Sequence, residues 1–182
     1  MRIPLSLLVA VFTLAPLQAQ NLLKNGDFSD GLNGWNSSSI CGTTTPGAIL
    51  KVEALSDAGG ISGKSARITD EDETAGNLIR QNVPAEGGKV YTLTFMSKTT
   101  VPERRKGIPG WASIQFLDAK GNWLKIPRDF CYLAEPGKGW QAGTLTVTAP
   151  SGTTKMWVAF KAGNKGCGVI DVSDVSLTQS AP

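Results

Sequence analysis

Residues 89–98, KVYTLTFMSK, alternate between large apolar and mostly polar side chains from Tyr91 onward, and this period of two constrains the fold more than any other feature. Such alternation is typical of a half-buried β-strand and excludes an amphipathic helix. Its core side carries Tyr91, Leu93 and Phe95, and its other side carries Thr92, Thr94, Met96 and Lys98. Further strand-like runs cover 48–55, 65–69, 77–83, 111–118, 140–150, 154–163 and 169–177. Roughly eight or nine short strands between Gly- and Pro-rich turns predict an all-β fold, a jelly-roll β-sandwich of two antiparallel sheets.

The N-terminus has the pattern of a secretory leader. Arg2 precedes an apolar run at 5–14, and a small-residue cleavage signal ends at Ala19. The run is too short to span a membrane as a helix, which needs about 20 apolar residues. We therefore expect a signal peptide at 1–19, a single domain at 20–182, and a protein that is secreted or periplasmic.

Histidine and cysteine usage narrows the chemistry. The chain has no histidine, which removes the usual base for a nucleophile and the imidazole ligands of a catalytic zinc. Its three cysteines are far apart, and in an exported protein they predict one disulfide and one odd thiol. Spacing leaves three pairings open among Cys41, Cys131 and Cys167. The pairing of Cys41 with Cys167 is favoured because both are expected beside loops at the ends of the sheets.

The charge pattern gives no sign of a nucleic-acid surface. The formal net charge of +3 includes Arg2, which leaves with the leader. The short basic cluster at 104–106 is more typical of a solvated loop than of a nucleic-acid patch, and the acidic run at 70–73 is interpreted in the same way.

Alternation also shows which aromatic side chains do not belong to the core. In 154–163 the core positions are Met156, Val158 and Phe160, so Trp157 and Lys161 point to the opposite face. In 111–118, Ile114 and Phe116 are inward, while Trp111 and Gln115 are outward. We expect Arg80, Met96 and Lys98 to share that face, and Trp123, Phe130 and Tyr132 to rim it from an irregular stretch at 123–138.

Five motifs, in order, resemble those of CenC-type carbohydrate-binding modules of families 4, 9, 16 and 22. They are NLLKNGDFSDGLNGW at 21–35, GKSA at 63–66, YTLTFMSK at 91–98, WQ at 140–141 and DVSDVSL at 171–177. The resemblance covers nearly the whole chain after the leader. It implies a galactose-binding-domain-like jelly roll with a concave sugar-binding face and with Trp35 and Trp140 as core anchors.

A sugar-binding face would use aromatic platforms for the apolar faces of pyranose rings and polar side chains for the hydroxyls. The candidate binding residues are Trp111, Gln115, Trp157, Lys161, Trp123, Tyr132 and Arg80. Structural alternatives stay open: Trp111 and Trp157 packed beneath loops, Trp123 as a loop plug, and Arg80 as a surface ion-pair partner.

The resemblance also raises the question of calcium, because many members hold a structural calcium ion. The matching positions carry Ser29, Ile61 or Ser62, and Ser173, so the carboxylates that calcium prefers are replaced. Asp27 and Asp174 are weak substitutes from neighbouring positions.

An enzyme is the less favoured class. Glycoside hydrolysis needs two carboxylates across the scissile bond, and Asp171 is the one candidate on the inferred open face. A polysaccharide lyase would draw on Arg80, Gln115 and Tyr132, but the missing histidine weakens it. We therefore expect a non-catalytic binder of polysaccharide or oligosaccharide, acting alone or with a partner glycan-active enzyme. The competing class is an adhesion module that binds protein at the cell surface.

Overall fold

The computed structural model describes residues 20–40, 50–56, 62–72, 76–100, 110–162 and 168–180. The leader, Cys41, Cys167 and the basic cluster at 104–106 lie outside these ranges, so the predictions about them stay predictions. In the described ranges no helix is long and apolar enough to cross a bilayer. The strands are β1 (Asn36–Ile40), β2 (Leu50–Leu55), β3 (Ser65–Asp70), β4 (Gly76–Pro84), β5 (Val90–Thr100), β6 (Trp111–Leu117), β7 (Trp123–Leu124), β8 (Phe130–Tyr132), β9 (Gln141–Thr148), β10 (Lys155–Lys161) and β11 (Gly168–Ser180).

The strands form two antiparallel sheets, which confirms the predicted all-β sandwich. A six-stranded sheet has the order β1-β4-β10-β6-β7, with β8 also pairing with β6. A five-stranded sheet has the order β2-β3-β11-β5-β9. The described part has more strands than predicted, because β1, β7 and β8 are too short or too polar to show alternation.

The core lies between the sheets and contains the side chains that alternation assigned to it. Met156, Val158 and Phe160 of β10 are fully buried, as are Ile114 of β6 and Leu93 of β5. The rings of Phe95 and Phe160 meet edge to face across the core, 5.1 Å between centroids. Trp35 contacts Phe28 and Phe160 and is a core anchor, as expected. Trp140 is only partly buried and lies outside the core.

The opening block at 21–35 is fastened to the last strand. The Leu22 backbone N–H donates to the Leu177 carbonyl (2.8 Å), and the Val175 N–H donates to the Gly26 carbonyl (2.8 Å). Asn25, not Gly26, has the left-handed backbone conformation of the turn, with φ 50°. Gly26 is required for a different reason: a Cβ there would collide with the carbonyl oxygen of Val175.

The five-stranded sheet contains β5, and this overturns one predicted placement. Met96 and Lys98 lie on the outward side of that sheet, not with Arg80 and Trp157. Asp171 of β11 is on the same side, 2% exposed, and is paired with Arg67 through two hydrogen bonds of 2.7 and 2.9 Å. The one carboxylate considered for glycoside hydrolysis is therefore buried on the opposite side of the sandwich.

Two members of the acidic run at 70–73 are not solvated as was predicted, while Glu71 is exposed. Asp70 and Asp72 are fully buried at the end of β3. The Asp70 carboxylate accepts the backbone N–H groups of Asp72 (3.1 Å) and Asn77 (3.2 Å). Burial raises the pKa of Asp70 above its ordinary value. This carboxylate therefore joins β3 to β4 and so connects the two sheets.

Candidate functional site

The strand register brings five of the predicted site residues together on the outward side of the six-stranded sheet. Trp157 of β10 lies beside Gln115 of β6, and Lys161 lies beside Trp111. Arg80 of β4 lies beside Ala159, which is two residues after Trp157 on β10. These side chains point outward because the alternate residues of β10 and β6 fill the core. We call this surface, with its neighbours on β7 and β8, the aromatic face.

The short strands β7 and β8 add exposed aromatic rings at one edge of the aromatic face. Trp123 pairs in register with Leu117, and Tyr132 pairs with Trp111. Trp123 is 58% exposed and Tyr132 is 60% exposed, so the loop-plug alternative for Trp123 is wrong. The stretch at 123–138 supplies the predicted rim but is partly strand, because β6 offers it a free edge for pairing.

Two cations lie over the two central tryptophans. The Arg80 guanidinium carbon is 4.4 Å from the centroid of the Trp157 ring, and the Lys161 Nζ is 4.7 Å from that of Trp111. Trp123 meets Trp157 edge to face, with 6.1 Å between centroids. Cation–π contacts of this kind contribute about 0.5–2 kcal/mol and hold the long side chains in place. The contact of Arg80 is thus an aromatic one, and no ion pair of Arg80 occurs among the described residues.

The centre of the aromatic face is lined by small side chains. Ala159 and Ser113 are neighbours in register, and they are 7% and 6% exposed. Larger side chains, among them Arg80 and Trp111, stand around them. A cleft of about 220 Å³ opens at the β6–β7 edge and is lined in part by Gln115, Trp123 and Asp129.

Sequence reasoning missed two polar members of the aromatic face. Asn82 of β4 is exposed and lies beside Trp157, and Asn36 of β1 lies beside Arg80. The alternation of 77–83 would have placed Asn82 with Arg80. Nothing in the polar sequence of β1 indicates a strand, so Asn36 had no such signal.

The three positions that resemble a calcium site do lie together, but they hold hydroxyl groups. The Ser173 Oγ is 2.7 Å from the carbonyl oxygen of Lys64 and 3.3 Å from the Ser62 Oγ. The Lys64 Nζ donates to the carbonyl oxygen of Ser29 (3.0 Å), which places a positive charge in the same cluster. These groups do not fit a calcium ion, which takes six to eight oxygen ligands, most of them carboxylate or carbonyl.

The two substitute carboxylates are engaged by the same cluster. Asp27 Oδ1 accepts the backbone N–H (3.1 Å) and the hydroxyl (3.0 Å) of Ser29. The backbone bond is the main reason that the pKa of Asp27 lies below its ordinary value. Asp174 Oδ1 accepts the Ser62 N–H, and its Oδ2 is 2.7 Å from the Ser173 hydroxyl. In the described ranges no group of three acidic, Cys or His side chains is arranged to hold a metal.

The one cysteine in the described ranges is a thiol. Cys131 of β8 is partly buried, and burial raises its pKa above the ordinary value, with an opposing effect from Arg128. Cys131 is therefore the odd thiol if the predicted pairing of the other two cysteines holds.

Solved structures with the same fold include carbohydrate-binding modules. No protein-family model matches the sequence, and no curated protein sequence matches it significantly. A family 16 carbohydrate-binding module is 17% identical with a TM-score of 0.62, covering 87% of this chain and 99% of that one. A family 4 module is 20% identical with a TM-score of 0.61, covering 87% and 99%.

A third similar structure belongs to a much larger chain. It is the enzymatically active domain of tailspike protein 4 of bacteriophage CBA120, 21% identical with a TM-score of 0.68. The match covers 88% of this chain but 21% of the tailspike chain. Identities this low establish the fold alone. The chain therefore has the antiparallel β-sandwich fold of the family 4 and family 16 carbohydrate-binding modules.

Proposed function

We propose that this domain is an exported, non-catalytic protein that binds a polysaccharide or oligosaccharide on the aromatic face. The observation that carries the proposal is the outward placement of Trp157 and Trp111 on the two central strands, next to the exposed Trp123 and Tyr132. A cluster of large aromatic side chains on a sheet surface is a recognised sign of a binding site. The shared fold with carbohydrate-binding modules supports a glycan as the ligand.

The chemistry of the aromatic face suits a sugar chain. Pyranose rings present apolar C–H faces that stack on aromatic rings, while their hydroxyls need donors and acceptors. Trp123 and Tyr132 are open to solvent and supply stacking surfaces at the edge. The amides of Gln115 and Asn82 flank Trp157 and supply polar partners. A sugar chain laid across the centre of the aromatic face would meet both kinds of group.

The distribution of carboxylates favours binding over hydrolysis. Glycosidases place two carboxylates about 5–10 Å apart across the bond that they cleave. The described outward positions of β4, β6 and β10 carry no Asp or Glu. Asp129 is the one carboxylate among the residues that line the cleft at the β6–β7 edge. Arg80, Gln115 and Tyr132 share the face, but the chain has no histidine to join them in a lyase mechanism. We therefore propose that any cleavage of the bound glycan is carried out by a separate partner enzyme.

The first test is binding to a panel of glycans. We expect retention in affinity electrophoresis, and a titration heat in calorimetry, with at least one of a set of β-glucans, xylans, mannans, galactans and uronate polymers. The folded state is checked by circular dichroism. A folded protein that binds none of them would contradict the proposal. A lyase would instead release unsaturated uronate products, which absorb in the ultraviolet. Capture of a protein partner that competing sugars do not release would favour the adhesion module.

We also propose that the domain folds and binds without calcium. A structural ion at 100 times its dissociation constant stabilises a protein by about 2.7 kcal/mol, which corresponds to several degrees in Tm. Because Ser29, Ser62, Ser173 and Lys64 do not fit calcium, we expect EDTA and added calcium to leave Tm unchanged. The measurement is thermal unfolding followed by circular dichroism. A fall of several degrees in EDTA, reversed by calcium, would contradict this expectation.

A further inference from the structure

The charged side chains at the outward positions of the six-stranded sheet all have the same sign. They are Arg80 on β4, and Lys155 and Lys161 on β10. The partners beside them in register are uncharged, including Ala159, Trp111 and Leu117. The described outward strand positions of this sheet therefore carry three cations and no carboxylate, although Asp129 lines the cleft at the β6–β7 edge and the whole chain is nearly balanced, 18 basic against 15 acidic.

The outward side of the five-stranded sheet shows the opposite arrangement. Glu53, Arg67, Asp171 and Lys98 occupy one row across β2, β3, β11 and β5, so the charges alternate in sign. Arg67 and Asp171 form two hydrogen bonds, and Lys51 pairs with Glu53 at 2.7 Å. Like charges next to one another destabilise a sheet by a few tenths of a kcal/mol or more. The charges in this row of the five-stranded sheet therefore alternate in sign. The three charges on the outward strand positions of the six-stranded sheet are all cations, and that of Lys161 also acts on the buried Asp70 carboxylate.

Because Arg80 lies over the Trp157 ring, it affects the binding of neutral and acidic ligands differently. Its guanidinium covers one face of the Trp157 ring at 4.4 Å. A neutral sugar that stacks on this ring face must displace the guanidinium and lose about 0.5–2 kcal/mol of cation–π energy. An acidic sugar can leave Arg80 in place and accept charge-assisted hydrogen bonds from its planar fork. The geometry therefore favours an acidic ligand.

We propose that the ligand is an acidic glycan, whose carboxylate or sulfate group binds Arg80 while Trp157 supports the guanidinium. This inference rests on the proposed function and names the substrate class of the same site. Lys161 over Trp111 forms a second cation–ring pair, and Lys161 is four residues after Trp157 on β10, about 13 Å from it at 3.3 Å per residue. Arg80 lies beside Ala159 in register, and Lys161 lies two residues after Ala159 on β10, so a glycan chain over the small side chains of Ala159 and Ser113 would meet both cations.

The test compares matched acidic and neutral glycans on the full domain. The pairs are polygalacturonate against its fully methyl-esterified form, which tests the carboxylate, and dextran sulfate against dextran, which tests the sulfate. A neutral panel of xylan, galactan and β-glucan is measured in parallel. We expect tighter binding of the acidic member of at least one pair, weakened by raising NaCl from about 0.05 to 0.5 M, since salt screens exposed charges.

Substitutions at Arg80 assign the effect to this side chain. We expect Arg80→Gln to weaken acidic-glycan binding about tenfold or more, because hydrogen bonds to charged groups are worth about 1.5–3 kcal/mol. Arg80→Lys keeps the charge and loses the fork, so we expect an intermediate loss. Lys51→Gln is the matched control: it removes one positive charge from the five-stranded sheet, where Lys51 is 58% exposed, and should have no effect.

The outcomes separate this inference from the proposed function. Preference for a carboxylated or a sulfated polymer that Arg80→Gln abolishes and Lys51→Gln does not supports the inference and identifies the acid group. Equal loss in Arg80→Gln and Lys51→Gln would mean non-specific attraction and overturn it. Binding of neutral glycans that is as tight as that of acidic ones would also overturn it, while the proposed function stands. A folded protein that binds no glycan overturns both.

Discussion

Replacing Trp157 with alanine is expected to weaken glycan binding by about 30-fold or more. Tryptophan is enriched among the few residues whose truncation costs a binding site about 2 kcal/mol or more, and each 1.4 kcal/mol is a factor of ten in affinity. Trp157 is central in the aromatic face, beside Gln115 and in edge contact with Trp123. Its removal also takes away the ring that supports the Arg80 guanidinium. We expect a similar loss for Trp111→Ala, which removes the ring beneath Lys161.

The measurement is calorimetric titration with the tightest glycan of the panel, and Met96→Ala is the control. Met96 is partly exposed on the outward side of the five-stranded sheet, so its truncation should leave affinity unchanged. Comparable Tm values of the three variants would show that the fold is intact. If Trp157→Ala and Trp111→Ala both bind like the unaltered protein, the ligand does not occupy the aromatic face. Loss of binding in Met96→Ala would move the site to the other sheet.

Replacing Gly26 with alanine is expected to lower the free energy of unfolding by about 4 kcal/mol or more, which is exceptional for a single methyl group. The added Cβ would collide with the carbonyl oxygen of Val175, a backbone atom in the centre of the fold that cannot move independently. Separation of the two segments would break the hydrogen bond from the Val175 N–H to the Gly26 carbonyl. It would also disturb the bond from Asn21 Nδ2 to the Val175 carbonyl.

Urea unfolding measures this effect, and Gly88→Ala is the matched control. Gly88 has φ 81°, but a Cβ there meets no atom within 4 Å. Its replacement therefore costs only the strain of a left-handed alanine, about 1 kcal/mol. A similar small loss in Gly26→Ala would show that the opening block is held loosely against β11. At position 25 the backbone should accept glycine more easily than alanine, since Asn25 itself has a positive φ.

Strand alternation predicted the core and the outward faces because it depends only on which side of the strand each side chain lies. The inward residues of β5, β6 and β10 are buried as their pattern indicated. The same pattern turned Trp111 and Trp157 outward. A residue pattern with a period of two reports two faces and says nothing about which strands are neighbours. For that reason Met96 and Lys98 were placed on the wrong sheet.

Other predictions were wrong where the burial of a residue depends on residues that are distant in the sequence. The acidic run at 70–73 reads as solvated, yet Asp70 is buried against the backbone N–H of Asn77 on the next strand. Trp140 matched a family motif but lies outside the core, because the motif fixes a place in the sequence and not the packing around it. The sequence of the opening block contains Gly26 but does not show why a glycine is needed there. Only the register with β11 shows that the glycine is needed for space.

The family resemblance predicted which positions of the chain lie together, but it did not predict what their side chains can bind. Ser29, Ser62 and Ser173 come from three separate parts of the chain and do meet in one cluster, as the matching calcium positions implied. What they form is set by their own side chains and by Lys64. The architecture follows from many residues together, whereas a metal site depends on a few particular ones.

The place of β11 in the five-stranded sheet determines how this chain must fold. β11 is last in the sequence but central in the sheet, with β3 on one side and β5 on the other. The opening residues also depend on it, since Asn21 bonds to Val175 and Leu177 across more than 150 residues. In a chain that lacks β11, the edges of β3 and β5 that face β11 are therefore unpaired, and the opening block at 21–35 has no strand to bond to. We therefore expect the sandwich to form only once β11 is available, and to fold slowly, because its strand pairs join residues far apart in the sequence.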